Sequence, residues 1–142
     1  GRSTWNDAWD GYPGARRRLL QTVADAKLQN VVTLGGDVHM NVAAQLRLQP
    51  NDPTSPIVAS EIVTTSITSR GMGDKVLSVV REHNPDILHA RGDERGYTLV
   101  QVTPEQLRCD FRTTAFPAGS VPGFKTQARF VVERGVAGIK PS

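Results

Sequence analysis

The stretch PGARRRLLQTVADAKLQNVVTLGGDVH, residues 13–39, decides the fold. Pro13 suits the first turn of a helix, where its missing N–H costs nothing. Behind it Ala15, Leu19 and Val23, and beside them Leu20, Ala24 and Leu28, recur at four-residue steps and draw one apolar stripe. Arg16, Arg17, Arg18, Gln21, Asp25 and Lys27 fall largely on the other side. The spacing predicts a helix from Pro13 to Gln29, closing near Asn30, a residue that tolerates the left-handed conformation. The arginine run reads as a solvated face, although cations near a helix start oppose the macrodipole and leave a structural or binding role open. Val31-Val32-Thr33-Leu34 then reads as a buried strand that runs into Gly35-Gly36 and Asp37-Val38-His39. A helix leading into a buried strand with polar residues at its carboxyl end predicts an α/β layered fold. Ligands in such folds gather at those strand ends.

Downstream, Asn41 to Leu48 reads as a strand or a short amphipathic segment, and Asn51 to Pro56 as a turn-rich loop. Pro56 to Val63 predicts a second apolar strand, interrupted by Glu61. Thr64 to Gly73 is a Ser/Thr/Gly-rich loop without apolar period. Asp74 is placed to cap a second helix, with Val76, Leu77, Val79 and Val80 inward, ending before Pro85. Tyr97 to Thr103 alternates, Pro104-Glu105 turns, and Leu107, Cys109 and Phe111 alternate with Arg108, Asp110 and Arg112. That is an antiparallel hairpin with one buried and one wet face. Ala128, Phe130 and Val132 repeat the rhythm in a later strand. Cys109, on the inward positions, reads as a core thiol rather than a nucleophile.

The 142 residues suffice for one ordinary domain, with 38% hydrophobic and 22% charged residues, a balance that suits a soluble globular chain better than a disordered one. A net charge of +3, scattered along the chain, is no nucleic-acid footprint, and no specific nucleic-acid partner is expected. One cysteine excludes an internal disulfide framework and a multi-cysteine zinc site. No apolar run approaches a membrane span. The chain opens on Gly1, and its two tryptophans, Trp5 and Trp9, fall in the first nine residues. Two readings stay open: an ordered terminus behind a tag residue, or a segment of a longer protein whose remainder packs against these aromatics.

Asp37 and His39 are the strongest candidates for chemistry. Two residues apart in an extended chain, they face one side. Their glycine neighbours would let a ligand or a second backbone approach. Carboxylate oxygen with imidazole nitrogen suits zinc, iron or manganese, and the carboxylate alone suits calcium or magnesium. The competing reading is a structural Asp–His hydrogen bond. No nucleophile elbow, phosphate-binding P-loop or dinucleotide fingerprint is present. His83, near a helix end, and His89, in a polar stretch, read as surface residues. Glu61 in an apolar strand would be costly unless paired, or unless its strand lies at an edge.

Several segments together resemble the alkaline phosphatase D-like (PhoD-like) metallophosphoesterases. They are Asp7-Ala8-Trp9-Asp10-Gly11-Tyr12-Pro13 with Arg16 to Leu20, and Asn30 to His39. Glu61 to Ser69, Asn84-Pro85 and Arg95-Gly96-Tyr97 follow in the family's order, so the likeness covers roughly residues 7 to 115. Gly35 stands where a hydroxyl residue is common in the family, and Val42 where an aromatic is common. The resemblance implies a four-layer α/β/β/α metallophosphatase sandwich with a mixed sheet and a C-terminal antiparallel hairpin. Residues 1–142 would be the carboxyl-terminal part of that single domain. It implies hydrolysis of phosphate monoesters and diesters at a centre of divalent or trivalent ions, iron and calcium among them. Asp37 and His39 carry over as metal ligands, and Trp9 to Tyr12 would line or brace the site. It also favours a periplasmic or extracellular location.

The physical need for metal is plain, because a phosphodiester's own charge repels nucleophiles until cations neutralise it. Such a centre needs more ligands than two, so the missing N-terminal half becomes an expected partner beside the phosphoester substrate. The isolated chain is then expected to be inactive. The alternatives are a non-catalytic binding module using the mildly basic surface with Trp5 and Trp9, and a structural half that dimerises through a face left bare.

Overall fold

Pro13–Asp25 form helix α1 in a computed structural model that describes residues 8–50, 52–121 and 123–142. The helix stops at Asp25 rather than Gln29, because Lys27 turns left-handed at φ 51°. Lys27 N–H then donates to Ala24 O at 3.0 Å and Leu28 N–H to Val23 O at 3.1 Å, the two bonds that close a helix end. Asn30 is also left-handed (φ 57°), but its side chain has another task. Its Nδ2 donates to Glu133 O at 2.6 Å and its Oδ1 accepts from Gly135 N–H at 2.8 Å. Of the apolar stripe Leu20 and Val23 are buried, whereas Leu19 and Leu28 stand half exposed. One 3-10 turn, Trp9–Gly11, precedes α1, and Trp9 is half exposed. Trp5 and Asp7 lie outside the described residues.

Four strands form a mixed sheet: β1 (Val32–Gly35), β2 (Asn41–Arg47), β3 (Ile57–Val63) and β4 (Ile87–Arg91). The order is β1-β3-β2-β4, with β1 parallel to β3 and β2 antiparallel to both its neighbours. β1 is therefore an edge strand, half buried rather than fully buried as its composition suggests, and Leu34 is 65% exposed. The second sheet is antiparallel in chain order: β5 (Arg95–Val102), β6 (Gln106–Thr114), β7 (Lys125–Glu133) and the short β8 (Lys140–Pro141).

Alternation in the last third of the sequence translates directly into packing. Leu107, Cys109 and Phe111 sit opposite Val132, Phe130 and Ala128 and turn one face of the second sheet inward. Buried Cys109, Phe111, Phe130, Val132 and Ile139 meet Ala43 and Ile62 of the first sheet in one core. Burial, with the charge of Asp110 adding to it, pushes the Cys109 thiol up to about 12, so it is an inert packing group. On the first sheet's other face, Val42, Ala44, Val63 and Ala90 receive Leu77 from helix α2 (Asp74–His83), while α1 lies on β3. The layers are helices, mixed sheet, antiparallel sheet.

Three expectations need correction. Gly73, not Asp74, occupies the N-cap of α2, and no side chain caps it. Only Leu77 of that helix is buried; Val76 and Val79 remain half exposed. His89 is no surface residue, because the unpredicted strand β4 carries its ring between the sheets. The ring stacks 5.5 Å from Phe111, and Nε2 lies 3.0 Å from Gln127 Oε1. Burial holds its basicity below the usual histidine range. His83 is exposed, as expected. Among the described residues, no helix is long and apolar enough to cross a membrane.

Candidate metal centre

β1 ends at Gly35, whose carbonyl accepts from Thr64 N–H at 3.0 Å, and the chain then leaves the sheet. Val38 N–H donates back to Gly36 O at 2.9 Å around Asp37, which adopts φ 71°. This is a γ-turn of the rare positive-φ kind, a strained conformation for a residue with a side chain. His39 is left-handed as well, at φ 56°. The two residues are thus not presented by an extended strand, and the alternation argument for their pairing does not apply. What the structure brings together is their backbone, folded at the carboxyl end of β1 with Asp37 exposed and His39 half buried.

The His39 ring is anchored from the loop after β3. Its Nδ1 lies 3.0 Å from Arg70 O, and since a carbonyl only accepts, Nδ1 carries the proton. In the neutral ring the lone pair is then on Nε2, the arrangement found in metal-ligating histidines. The His39 carbonyl accepts from the buried Thr65 hydroxyl at 3.1 Å, and Thr65 N–H donates to the fully buried Asn41 Oδ1 at 2.9 Å. Gly71 closes over the same carbonyl; a Cβ there would collide with His39 O and stand 2.6 Å from Gly92 O. Close approach was expected at Gly35 and Gly36. A Cβ on Gly36 would meet nothing within 4 Å, and on Gly35 only the Val63 side chain at 3.6 Å. The glycine that the corner requires is Gly71.

One carboxylate oxygen and one imidazole nitrogen with a fixed tautomer fit a borderline or hard cation. Among the described residues, no group of three or more His, Cys, Asp or Glu side chains is placed to hold an ion. Glu61 does not join Asp37 and His39 in such a group. It lies on β3 between Thr33 of β1 and Ala44 of β2, so the edge-strand explanation for it fails. Ala44 packs with the helix-side cluster, which places Glu61 on the face that α1 covers. Burial raises its carboxyl above the ordinary 4.5, and the charge of Arg16 on α1 partly offsets this. Part of the arginine run therefore has a structural neighbour.

Behind the corner lies a buried polar network that connects the sheets. Glu94 accepts from the Thr113 hydroxyl and from Gln127 Nε2, each at 2.8 Å, and pairs with Lys125 at 2.6 Å. Gln127 Oε1 in turn accepts from Asn41 Nδ2 at 3.2 Å. Burial alone would raise the Glu94 carboxyl, but the bonds from Lys125, Gln127 and Thr113 outweigh it and hold it low. Thr65, Asn41, Gly71 and Glu94 received no role from the sequence. For Thr65 and Gly71 the composition signal was the dense Ser/Thr/Gly stretch of residues 64–73, which Asn41 and Glu94 lie outside.

Comparison with known proteins follows the same lines. The sequence pattern of the PhoD-like phosphatases matches residues 1–111. The chain is 37% identical over 137 residues to alkaline phosphatase D of Bacillus subtilis (strain 168), covering 94% of this chain and 23% of that protein. It superposes on a solved structure of PhoD with a TM-score of 0.82 and 30% identity, over 95% of this chain and 26% of the other. It thus spans about a quarter of the length of the relatives it matches. The chain belongs to the PhoD-like phosphatase family.

Proposed function

We propose that this chain supplies part of the metal centre of a metal-dependent phosphoesterase acting on phosphate monoesters and diesters. Asp37 and His39 are the ligands it contributes. The observation that carries the reading is the His39 ring, tied through Nδ1 to Arg70 O so that Nε2 is left for a cation. The strained backbone at Asp37 and His39 supports it, since positive φ at residues with side chains concentrates where function demands it. When bound, the ions (iron and calcium by resemblance) would neutralise the phosphate's charge and make hydroxide available near neutral pH. Asp37 and His39 would hold them, while Thr65, Gly71 and the Arg70 carbonyl fix the His39 position.

In this reading the remaining ligands, and the second helical layer of a four-layer sandwich, belong to an N-terminal part of the same domain. The chain by itself is then inactive, and the parent protein works in the periplasm or outside the cell.

The test replaces Asp37 and His39 singly by Ala in the parent protein and follows bound metal together with hydrolysis of an aryl phosphodiester. Loss of activity beyond about 100-fold, with substoichiometric metal, is expected, because even partners of metal ligands are worth 10–100-fold. Full metal content and unchanged turnover in both variants would refute the assignment and favour a non-catalytic module.

A further inference from the structure

Arg95-Gly96-Tyr97, the segment of the family likeness that opens strand β5, lies against the loop that holds His39. Three bonds stitch the start of β5 to residues 64–66. Thr98 Oγ1 donates to Thr64 Oγ1 at 2.8 Å, Gly96 N–H to Ser66 O at 3.3 Å, and the Arg95 guanidinium to Thr65 Oγ1 at 3.2 Å. A Cβ on Gly96 would collide with Arg112 O, so only glycine lets β6 come this close where β5 meets the loop.

Arg95 is 3% exposed, and Phe116 covers its guanidinium, 4.7 Å from the ring centroid. The same guanidinium donates to Gly92 O at 3.0 Å and to the Glu94 carbonyl. Asp93, itself bonded to Arg91, lends the buried cation an opposite charge nearby. A planar fork of donors can serve these three oxygens at once, which the single ammonium of a lysine cannot do in the same geometry. Gly92 O and His39 O both crowd Gly71, so Arg95 holds one of them directly and the other through Thr65. The Thr65 hydroxyl has one proton and two carbonyls in reach, His39 O at 3.1 Å and Glu94 O at 3.3 Å. Because Arg95 donates both to the hydroxyl oxygen and to Glu94 O, that proton is turned toward His39.

We propose that Arg95 is a positioning residue for the His39 imidazole, acting through the Thr65 hydroxyl. It fixes the His39 carbonyl, and the fixed backbone sets the ring on Arg70 O, 3.0 Å from Nδ1. The consequence for metal binding rests on His39 being a ligand; the positioning itself belongs to the metal-free chain.

The test reads the His39 tautomer in the metal-free chain from its ring nitrogen shifts, at a pH where the ring is neutral. The unmodified chain should carry the proton on Nδ1. Thr65→Val, which keeps the shape and removes the hydroxyl, should give a mixture of tautomers, and Arg95→Lys should do the same. Thr65→Ser should restore the Nδ1 proton. The Arg95→Lys/Thr65→Val double variant should go no further than Thr65→Val alone, since residues on one path are not additive. The His89 ring, bonded to Gln127 and stacked on Phe111, should be unchanged throughout and so report an intact core. In the parent protein titrated with manganese(II), each single variant should weaken metal binding about tenfold. A merely structural arginine would lower the melting temperature and leave the His39 tautomer alone. An unchanged tautomer in Thr65→Val, additive shifts in the double variant, or a proton on Nε2 in the unmodified chain overturns the proposal, and the first and third of these need no Arg95 variant to fold. Unchanged metal affinity in both single variants, where His39→Ala loses the metal, overturns it as well. A shifted tautomer with full metal in His39→Ala refutes the ligand reading alone and leaves the positioning standing.

Discussion

The two sheets share one apolar core and end in opposite ways. The antiparallel sheet turns from β5 to β6 through Thr103, whose hydroxyl accepts from the amides of Glu105 and Gln106 at 3.2 Å. Its side chains alternate in and out along paired strands. The mixed sheet releases β1 at Gly35 into two left-handed residues, Asp37 and His39, pinned by a separate loop. Packing is concentrated in the first region and backbone strain in the second. A rigid sandwich can hold a corner that would not persist alone, because its segments are over-determined by what surrounds them.

That contrast can be broken in three places. The largest effect is expected at Phe111, fully buried between the sheets and in contact with His89 and Phe130. Phe111→Ala should cost about 3–5 kcal/mol of stability in denaturant unfolding. A loss below about 1 kcal/mol would mean that the antiparallel sheet is not the main anchor.

A smaller effect of opposite signs separates the two backbones. Asp37→Gly should stabilise the fold by about 1 kcal/mol, since glycine takes the left-handed conformation without penalty. Thr98→Gly, in extended strand β5 with its hydroxyl 2.8 Å from Thr64 Oγ1, should destabilise it by about the same amount. Equal signs in thermal unfolding would remove the argument for strain at the corner.

The smallest effects distinguish two carboxylates. Glu94 is held below its ordinary 4.5, so its contribution is present above that pH and is lost as pH falls through the folded value. Glu61 is raised above 4.5, so its favourable contribution exists below that value and is lost as pH rises through the folded one. Glu94→Gln should therefore lower the melting temperature at neutral pH, with the deficit shrinking on acidification. Glu61→Gln should raise it at neutral pH, and the gain should vanish in acid. A pH series of melting temperatures decides both.

The same contrast explains what could be read in advance. Leu107, Cys109 and Phe111 announce their strand because each apolar residue answers a facing one at period two. Ile87-Leu88-His89-Ala90-Arg91 does not, since β4 exists by pairing with β2 and its histidine is tolerated only because Gln127 meets its nitrogen. Asp37 and His39 could be singled out by residue type and by family likeness, but not their conformation. Positive φ at residues with side chains is imposed by distant partners, here Thr65, Arg70 and Gly71. Arg95 was legible as part of a motif and not as a buried cation, because burial is a property of the assembled sheets.

The amide of Asn30 touches the chain 103 and 105 residues later, at the turn that leads into β8. A single side chain thereby fastens the exit of the first helix to the last hairpin, and neither can open locally without releasing the other. Amide exchange at the two sites should rise and fall together, so this clasp makes the beginning and the end of the described fold one cooperative unit.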